Sequence, residues 1–125
     1  FHLFDRTPHA FTKVRQWSER AAEFEKRAAF ALLAGLALHD KVTGDESFLE
    51  TLPLIERAAT DERNFVKKGV SWALRGLGRR NSALNVGAVK VARRLADSPL
   101  AAPRWVGRDA LRDLMQPKVL ARLHD

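Results

Sequence analysis

Two stretches of this chain, FEKRAAFALLAGL (residues 24–36) and FVKKGVSWALRGL (residues 65–77), match at an offset of 41 residues. Phe24 falls on Phe65, Lys26 on Lys67, Arg27 on Lys68 and Leu33 on Leu74, and Gly35-Leu36 falls on Gly76-Leu77. This recurrence constrains the fold more than composition does. Each copy carries apolar residues at helical intervals, and one such helix cannot bury its apolar side alone, so the copies are expected to stack. A third, much weaker copy in VGRDALRDLM (residues 106–115) is what a terminal, capping unit looks like.

Helical spacing runs through nearly every segment, and no stretch alternates convincingly enough for a strand. The period falls in the range of two-helix HEAT or armadillo units. The expectation is therefore an all-α, HEAT-like helical-repeat solenoid (an α-α superhelix) that forms a single domain over residues 1–125. Thr7 and Pro8 predict an N-cap and first helical residue, with that helix ending near Arg20. A second, Ala- and Leu-rich helix is predicted from Ala21 to His39, and the Lys41–Gly44 turn separates it from a third. That third helix is predicted from Asp45 to Ala59 with a bend at Pro53. Asp61 is the expected cap of a fourth helix reaching Gly78, and Ser82 the cap of a fifth reaching Asp97. Two prolines predict a loop over Ser98–Arg104, followed by a helix from Val106 to Met115 and a last one from Pro117.

Charge is divided unevenly along the chain. Residues 1–62 hold eight Lys and Arg against eleven Asp and Glu, and residues 63–125 hold fourteen against four. The net charge is thus −3 in the first part and +10 in the second, which predicts an anionic partner for the second part. Nucleic acid comes first. An acidic membrane surface comes behind it, because the basic helices lack a broad apolar face. No run of eighteen apolar residues is long enough to span a bilayer. Zero cysteines exclude disulfides, thiolate metal sites and cysteine nucleophiles, and fit a cytoplasmic location. A first residue of Phe rather than Met, with no basic-then-apolar leader, predicts a piece of a longer protein.

Placed on a wheel at roughly 100° per residue, residues 61–80 separate into two faces. Val66, Val70, Ala73 and Leu77 form an apolar stripe, whereas Lys68, Trp72, Arg75 and Arg79 stack along the opposite side with Phe65 at its start. An indole is thus expected among cations rather than among the aliphatics. Lys and Arg contact phosphates and release counterions, and an aromatic face offers a platform for a base or sugar. The competing arrangement tucks Trp72 under a neighbouring helix, with the cations covering it by cation–π contact. By the offset of 41, Arg27 occupies the position of Lys68 and should point the same way. Lys90, Arg93 and Arg94 add a basic cluster, and the PRWVGR stretch sets Trp105 between Arg104 and Arg108. Gly69 and Gly76 remove side-chain bulk and are expected to permit close packing or approach.

At these residues the sequence resembles the DNA alkylation repair enzymes, the AlkD-type alkylpurine DNA glycosylases built of HEAT-like repeats. The matching pieces are VRQWSERAAEFEKRAAFALLAGLALHDK, FLETLPLIERAATDERNFVKKGVSWALRGLGRRN and RWVGRDALRDL, which together span nearly the whole chain. The most specific is DERNFVKKGVSWALR, where Arg75 matches the arginine that the family sets against the DNA backbone. The resemblance implies a concave face that binds double-stranded DNA around an N3- or N7-alkylated purine. It also implies hydrolysis of the N-glycosidic bond with no cofactor, and Trp105 as the family's other DNA-facing aromatic. The family's Trp-Asp-x-x-Asp segment, source of its tryptophan and catalytic aspartate, does not occur here: the three tryptophans are followed by SERA, ALRG and VGRD. The chain therefore resembles the C-terminal half of such an enzyme, expected to act as a monomer.

Glycosidic hydrolysis needs a carboxylate near the sugar, and the candidates are Glu25, Asp40, Asp61 and Glu62. Asp61 reads as a cap, Glu62 as a first-turn residue favoured by the helix dipole, and Asp40 as an ion-pair partner of Lys41. No catalytic acid is assigned. His2, His9, His39 and His124 are scattered without i,i+3 or i,i+4 pairing, so no metal site is expected. Gly76-Leu77-Gly78 lacks the strand that a phosphate loop follows. The alternative reading is a non-enzymatic HEAT-type scaffold that binds nucleic acid or an acidic protein.

Overall fold

The computed structural model describes residues 3–18, 22–40 and 43–123, with side chains from residue 9 onward in the first of these segments. Among the described residues there are eight helices and no strand: α1 (Leu3–Ser18), α2 (Glu23–His39), α3 (Asp45–Leu49), α4 (Leu52–Ala58), α5 (Asn64–Arg80), α6 (Ser82–Ala96), α7 (Ala101–Leu114) and α8 (Pro117–Leu120). The helix ends expected at Arg20 and Ala21, and Lys41 in the turn after α2, lie outside the described residues.

The helix boundaries depart from the sequence expectation where capping residues and prolines crowd together. α1 winds through Thr7 and Pro8 rather than starting there, which puts Pro8 at its sixth position. The expected long third helix is broken, not bent. Thr51 Oγ1 donates to the Phe48 carbonyl at 2.6 Å, α3 stops, and Pro53 takes the second position of α4. Asp61 stands two residues ahead of the α5 cap position at Arg63, and its Oδ1 accepts from the Arg63 N–H at 3.0 Å. α6 is capped not by Ser82 but by Asn81, whose side-chain oxygen accepts from Leu84 N–H at 2.9 Å. α7 begins at Ala101, not Val106, and absorbs most of the predicted loop. Pro103 sits in its first turn, where an N–H would have had no helical partner anyway.

α5 is the hub. It packs against α2 on one side and α7 on the other, with α4 and α6 behind it, while α1 packs against α2. The predicted apolar stripe of α5 is fully buried, with Val66, Val70, Ala73 and Leu77 all at 0% exposure. Phe30 and Leu33 of α2, Ile55 of α4, Leu84 of α6, and Val106 and Leu114 of α7 join it. Removing side chains of this size from water contributes roughly 1.5–3 kcal/mol apiece. Phe11 of α1 meets Phe48 of α3 edge-to-face, with ring centroids 5.2 Å apart. Gly107 decides the α6–α7 contact: a Cβ added there would lie 2.2 Å from the Ala96 nitrogen. The two backbones touch at that point, and only glycine fits.

α2, α5 and α7 run side by side in the same direction, since their contacts advance together along all three. Gly69 lies on Arg27 and Phe30, and Gly76 on Ala34 and Ala37. At both glycines an added Cβ would find contacts of 3.5–3.7 Å, so the approach is close but ordinary for a methyl group. Gly35, the counterpart of Gly76 in the repeat, faces open space instead. One side of the row formed by α2 and α5 carries the groove described next.

Candidate nucleic-acid interface

The α5 row predicted to look outward does so. Trp72 is 51% exposed and Phe65 56%, Lys68 and Arg79 are exposed, and Arg75 is half-buried. The ring is not sealed beneath another helix. Between α2 and α5 lie two adjoining hollows, both walled by Trp72 and Arg75. One, of about 420 Å³, is completed by Arg27, Ala31, Phe65 and Lys68 over a floor at Gly69. The other, of about 340 Å³, runs past Ala34, Ala37, Leu38 and Gly76 to Arg79. Ala and Gly line the floor because α2 and α5 approach closely there. The result is an apolar trough with cations along its rim and an indole across its middle.

Arg27 and Lys68 share the first hollow, as the offset of 41 predicts. The cations around the groove nevertheless differ in how far they are committed. Lys68 makes no ion pair among the described residues, and the Arg27 guanidinium lies 5.5 Å from the centre of the Phe65 ring, a cation–π contact. Arg75 Nε donates to the Ser71 carbonyl at 3.4 Å and stands 3.9 Å from Asp109 Oδ2 of α7. Arg79 is held in a two-pronged pair, Nε to Asp113 Oδ2 at 2.8 Å and Nη2 to Oδ1 at 2.5 Å.

Trp105 stands on α7 rather than in a loop, and is 39% exposed. Its ring carries Lys67 of α5, 5.4 Å from the centroid, so it belongs to the α5–α7 seam. Arg104 turns back to the Ser98 and Pro99 carbonyls instead of flanking the ring. Lys90, Arg93 and Arg94 line neither hollow. Their helix lies behind α5, and Arg94 makes a two-pronged pair with Glu56 of α4, both contacts at 2.9 Å.

The sequence model of the DNA alkylation repair enzyme family matches residues 1–114. The chain belongs to that family. No curated protein and no solved structure gives a significant match. Membership places the chain in DNA alkylation repair and makes DNA the molecule on which its family acts.

Two candidate carboxylates of this alkylation-repair protein, Asp61 and Asp40, are structurally committed. Asp61 is nearly buried and receives Arg63 at 2.7 Å and Lys26 at 3.2 Å, strapping the start of α5 to α2. The Arg63 guanidinium, followed by the Arg63 N–H and Lys26, holds its carboxyl far below the usual carboxylate range against the opposing effect of burial. It stays ionised. Asp40 is 2% exposed and accepts from Thr43 N–H at 3.0 Å and Thr43 Oγ1 at 2.5 Å, closing the turn after α2. Neither Glu25 nor Glu62 lines either hollow. Among the described residues no group of three His, Asp or Glu could hold a metal ion, and no helix is long and apolar enough to cross a membrane.

Two features escaped the sequence reading. Asp109 and Asp113 meet the arginine row from α7, and only their own i,i+4 spacing, equal to that of Arg75 and Arg79, hints at it. Arg80, next in sequence to Arg79, points the other way and donates to the Ala37 and Asp40 carbonyls at the C-terminal end of α2 and to the Thr43 carbonyl in the turn beyond it. Its guanidinium also lies 4.3 Å from the Phe48 ring centroid. Arg80 is a structural plug; Arg79 is a surface residue.

Proposed function

We propose that this chain is the DNA-gripping part of an alkylpurine DNA glycosylase, a HEAT-like helical-repeat solenoid whose α2–α5 groove holds the duplex around an N3- or N7-alkylated purine. The observation that carries this reading is the half-exposed indole of Trp72 between two hollows rimmed by Arg27, Lys68 and Arg75. Phosphates take the cations, and the released counterions supply affinity independent of sequence. The indole face packs on a base or sugar, an interaction of roughly 1–3 kcal/mol. Arg27 and Lys68, which make no ion pair among the described residues, can reach a phosphate as they stand, Arg75 gives up a long pair, and Arg79 must give up Asp113. Trp105 marks the far edge of the contact, on the α7 side.

The same geometry supplies grip rather than bond cleavage. Among the described residues no carboxylate lines the α2–α5 hollows. In this reading the acid that stabilises the developing charge on the sugar comes from a segment of the Trp-Asp-x-x-Asp type outside residues 1–125. The test is a pair of titrations on this chain, with a duplex carrying one N7-methylguanine and with its unmodified twin. Arg75→Ala should weaken both about equally and lower the slope of log K against log salt by roughly one. An unchanged affinity and slope contradicts the phosphate role. Release of free methylpurine by the longer protein, abolished when its Trp-Asp-x-x-Asp aspartate is replaced, separates the glycosylase from a scaffold.

A further inference from the structure

The seam between α5 and α7 is a ladder with a four-residue step. Lys67, Ser71, Arg75 and Arg79 of α5 face Trp105, Asp109 and Asp113 of α7. Ser71, fully buried, donates its hydroxyl to Asp109 Oδ2 at 2.6 Å and so fixes that carboxylate beside Arg75. Arg112 approaches the other Asp109 oxygen at 3.7 Å from the solvent side. Asp113 has 15% of its side chain exposed against 49% for Arg79, so the guanidinium lies outside and the carboxylate beneath it. A two-pronged guanidinium–carboxylate pair has the shape of a guanidinium–phosphate pair.

We propose that Asp113, with Asp109 as its weaker neighbour, stands in for a DNA phosphate and withholds Arg79 from a duplex that docks only loosely on the groove. This inference rests on the DNA-binding reading above. In the free protein Arg79 is already satisfied, so a duplex that merely drifts onto the groove gains little from it. Only a duplex seated deeply enough to offer a phosphate at the same place can exchange with Asp113. Arg75, whose carboxylate lies 3.9 Å away and is shared with Ser71 and Arg112, is withheld less. The charge balance follows: each carboxylate cancels one cation that the groove would otherwise present to any phosphate backbone.

The experiment is a salt titration of unmodified duplex binding for the 125-residue chain and for Asp113→Asn, Asp113→Glu, Arg79→Ala and Arg79→Ala/Asp113→Asn. Freeing one cation adds one counterion to the exchange, so Asp113→Asn should steepen the slope of log K against log salt by about 0.9. That slope corresponds to an additional loss of about threefold to fourfold in affinity between 50 and 200 mM salt. Asp113→Glu should keep the parent slope, and the double variant should match Arg79→Ala alone, since no cation is left to release. A purely structural Asp113 would change thermal stability and leave every slope alone. Parent binding with an unchanged Asp113→Asn slope, or Asp113→Glu behaving like Asp113→Asn, overturns the inference and leaves the DNA reading intact. A parent chain that binds no duplex overturns both.

Discussion

Replacing Arg80 by alanine should unfold this protein far more readily than replacing its neighbour Arg79. The Arg80 guanidinium donates to three carbonyls: Ala37 and Asp40 at the end of α2, and Thr43 in the turn that follows. Hydrogen bonds from charged groups contribute roughly 1.5–3 kcal/mol each, but three bonds from one side chain are not additive, and some carbonyls regain water once it is gone. Against that discount stand the lost contact with Phe48, worth about 0.5–1 kcal/mol, and the lost positive charge at a helix C-terminus, worth about 0.3–1 kcal/mol. The sum is about 3–4 kcal/mol. At roughly 2.1 cal/mol/K per residue of unfolding entropy, this lowers Tm by about 11–15 °C. Arg80→Lys, with a point charge in place of a fork, should recover less than half of the loss. Arg79→Ala breaks a pair that is half-exposed on the arginine side and should cost about 1 kcal/mol. Urea denaturation followed by helical circular dichroism reads all three, with the midpoint shifting and m constant. An Arg80→Ala variant within 1 kcal/mol of the parent refutes the plug.

Asp61→Asn should destabilise the fold at neutral pH, and the difference from the parent should shrink with acid. The folded-state pKa of Asp61 is depressed, so its contribution is complete above the unfolded value of 3.8 and is lost as pH falls below it. Urea midpoints at pH 7 and pH 3 check the sign. Gly107→Ala forces a methyl group into the Ala96 backbone and should cost about 3 kcal/mol or more, whereas Gly35→Ala meets nothing within 4 Å and should stabilise α2 by about 0.5–1 kcal/mol. Opposite shifts in thermal midpoint are the expected readout. Lys68→Ala should lower the salt slope of duplex binding by roughly one with no change in Tm, because Lys68 has no ion-pair partner among the described residues to lose.

Much of this was legible in the sequence because helical periodicity is local. The wheel over residues 61–80 separated Val66, Val70, Ala73 and Leu77 from Lys68, Trp72, Arg75 and Arg79, and burial follows that division. The offset of 41 placed Arg27 beside Lys68 because α2 and α5 pack in parallel at matched register. Boundaries failed where two cappers stand together, as at Asn81-Ser82, and where a proline enters a first turn, as Pro103 does, instead of ending a helix. Partners across the α5–α7 seam were invisible for a different reason. Asp113 and Arg79 are 34 residues apart, and only the docking of one helix on another brings them together. Arg80 could not be told from Arg79 by type; a rotation of about 100° along the helix turns one inward and the other out.

The most direct test of the groove is the Trp72 ring itself. Duplexes with and without a single N7-methylguanine, titrated against the parent chain and Trp72→Ala by anisotropy of a labelled strand, report its contribution at constant salt. Loss of the indole should weaken binding by roughly 1–3 kcal/mol, about 5- to 150-fold, and leave the salt slope where it was, since a stacking surface neutralises no phosphate. A Trp72→Ala protein that binds both duplexes as tightly as the parent contradicts an interface centred on the α2–α5 groove.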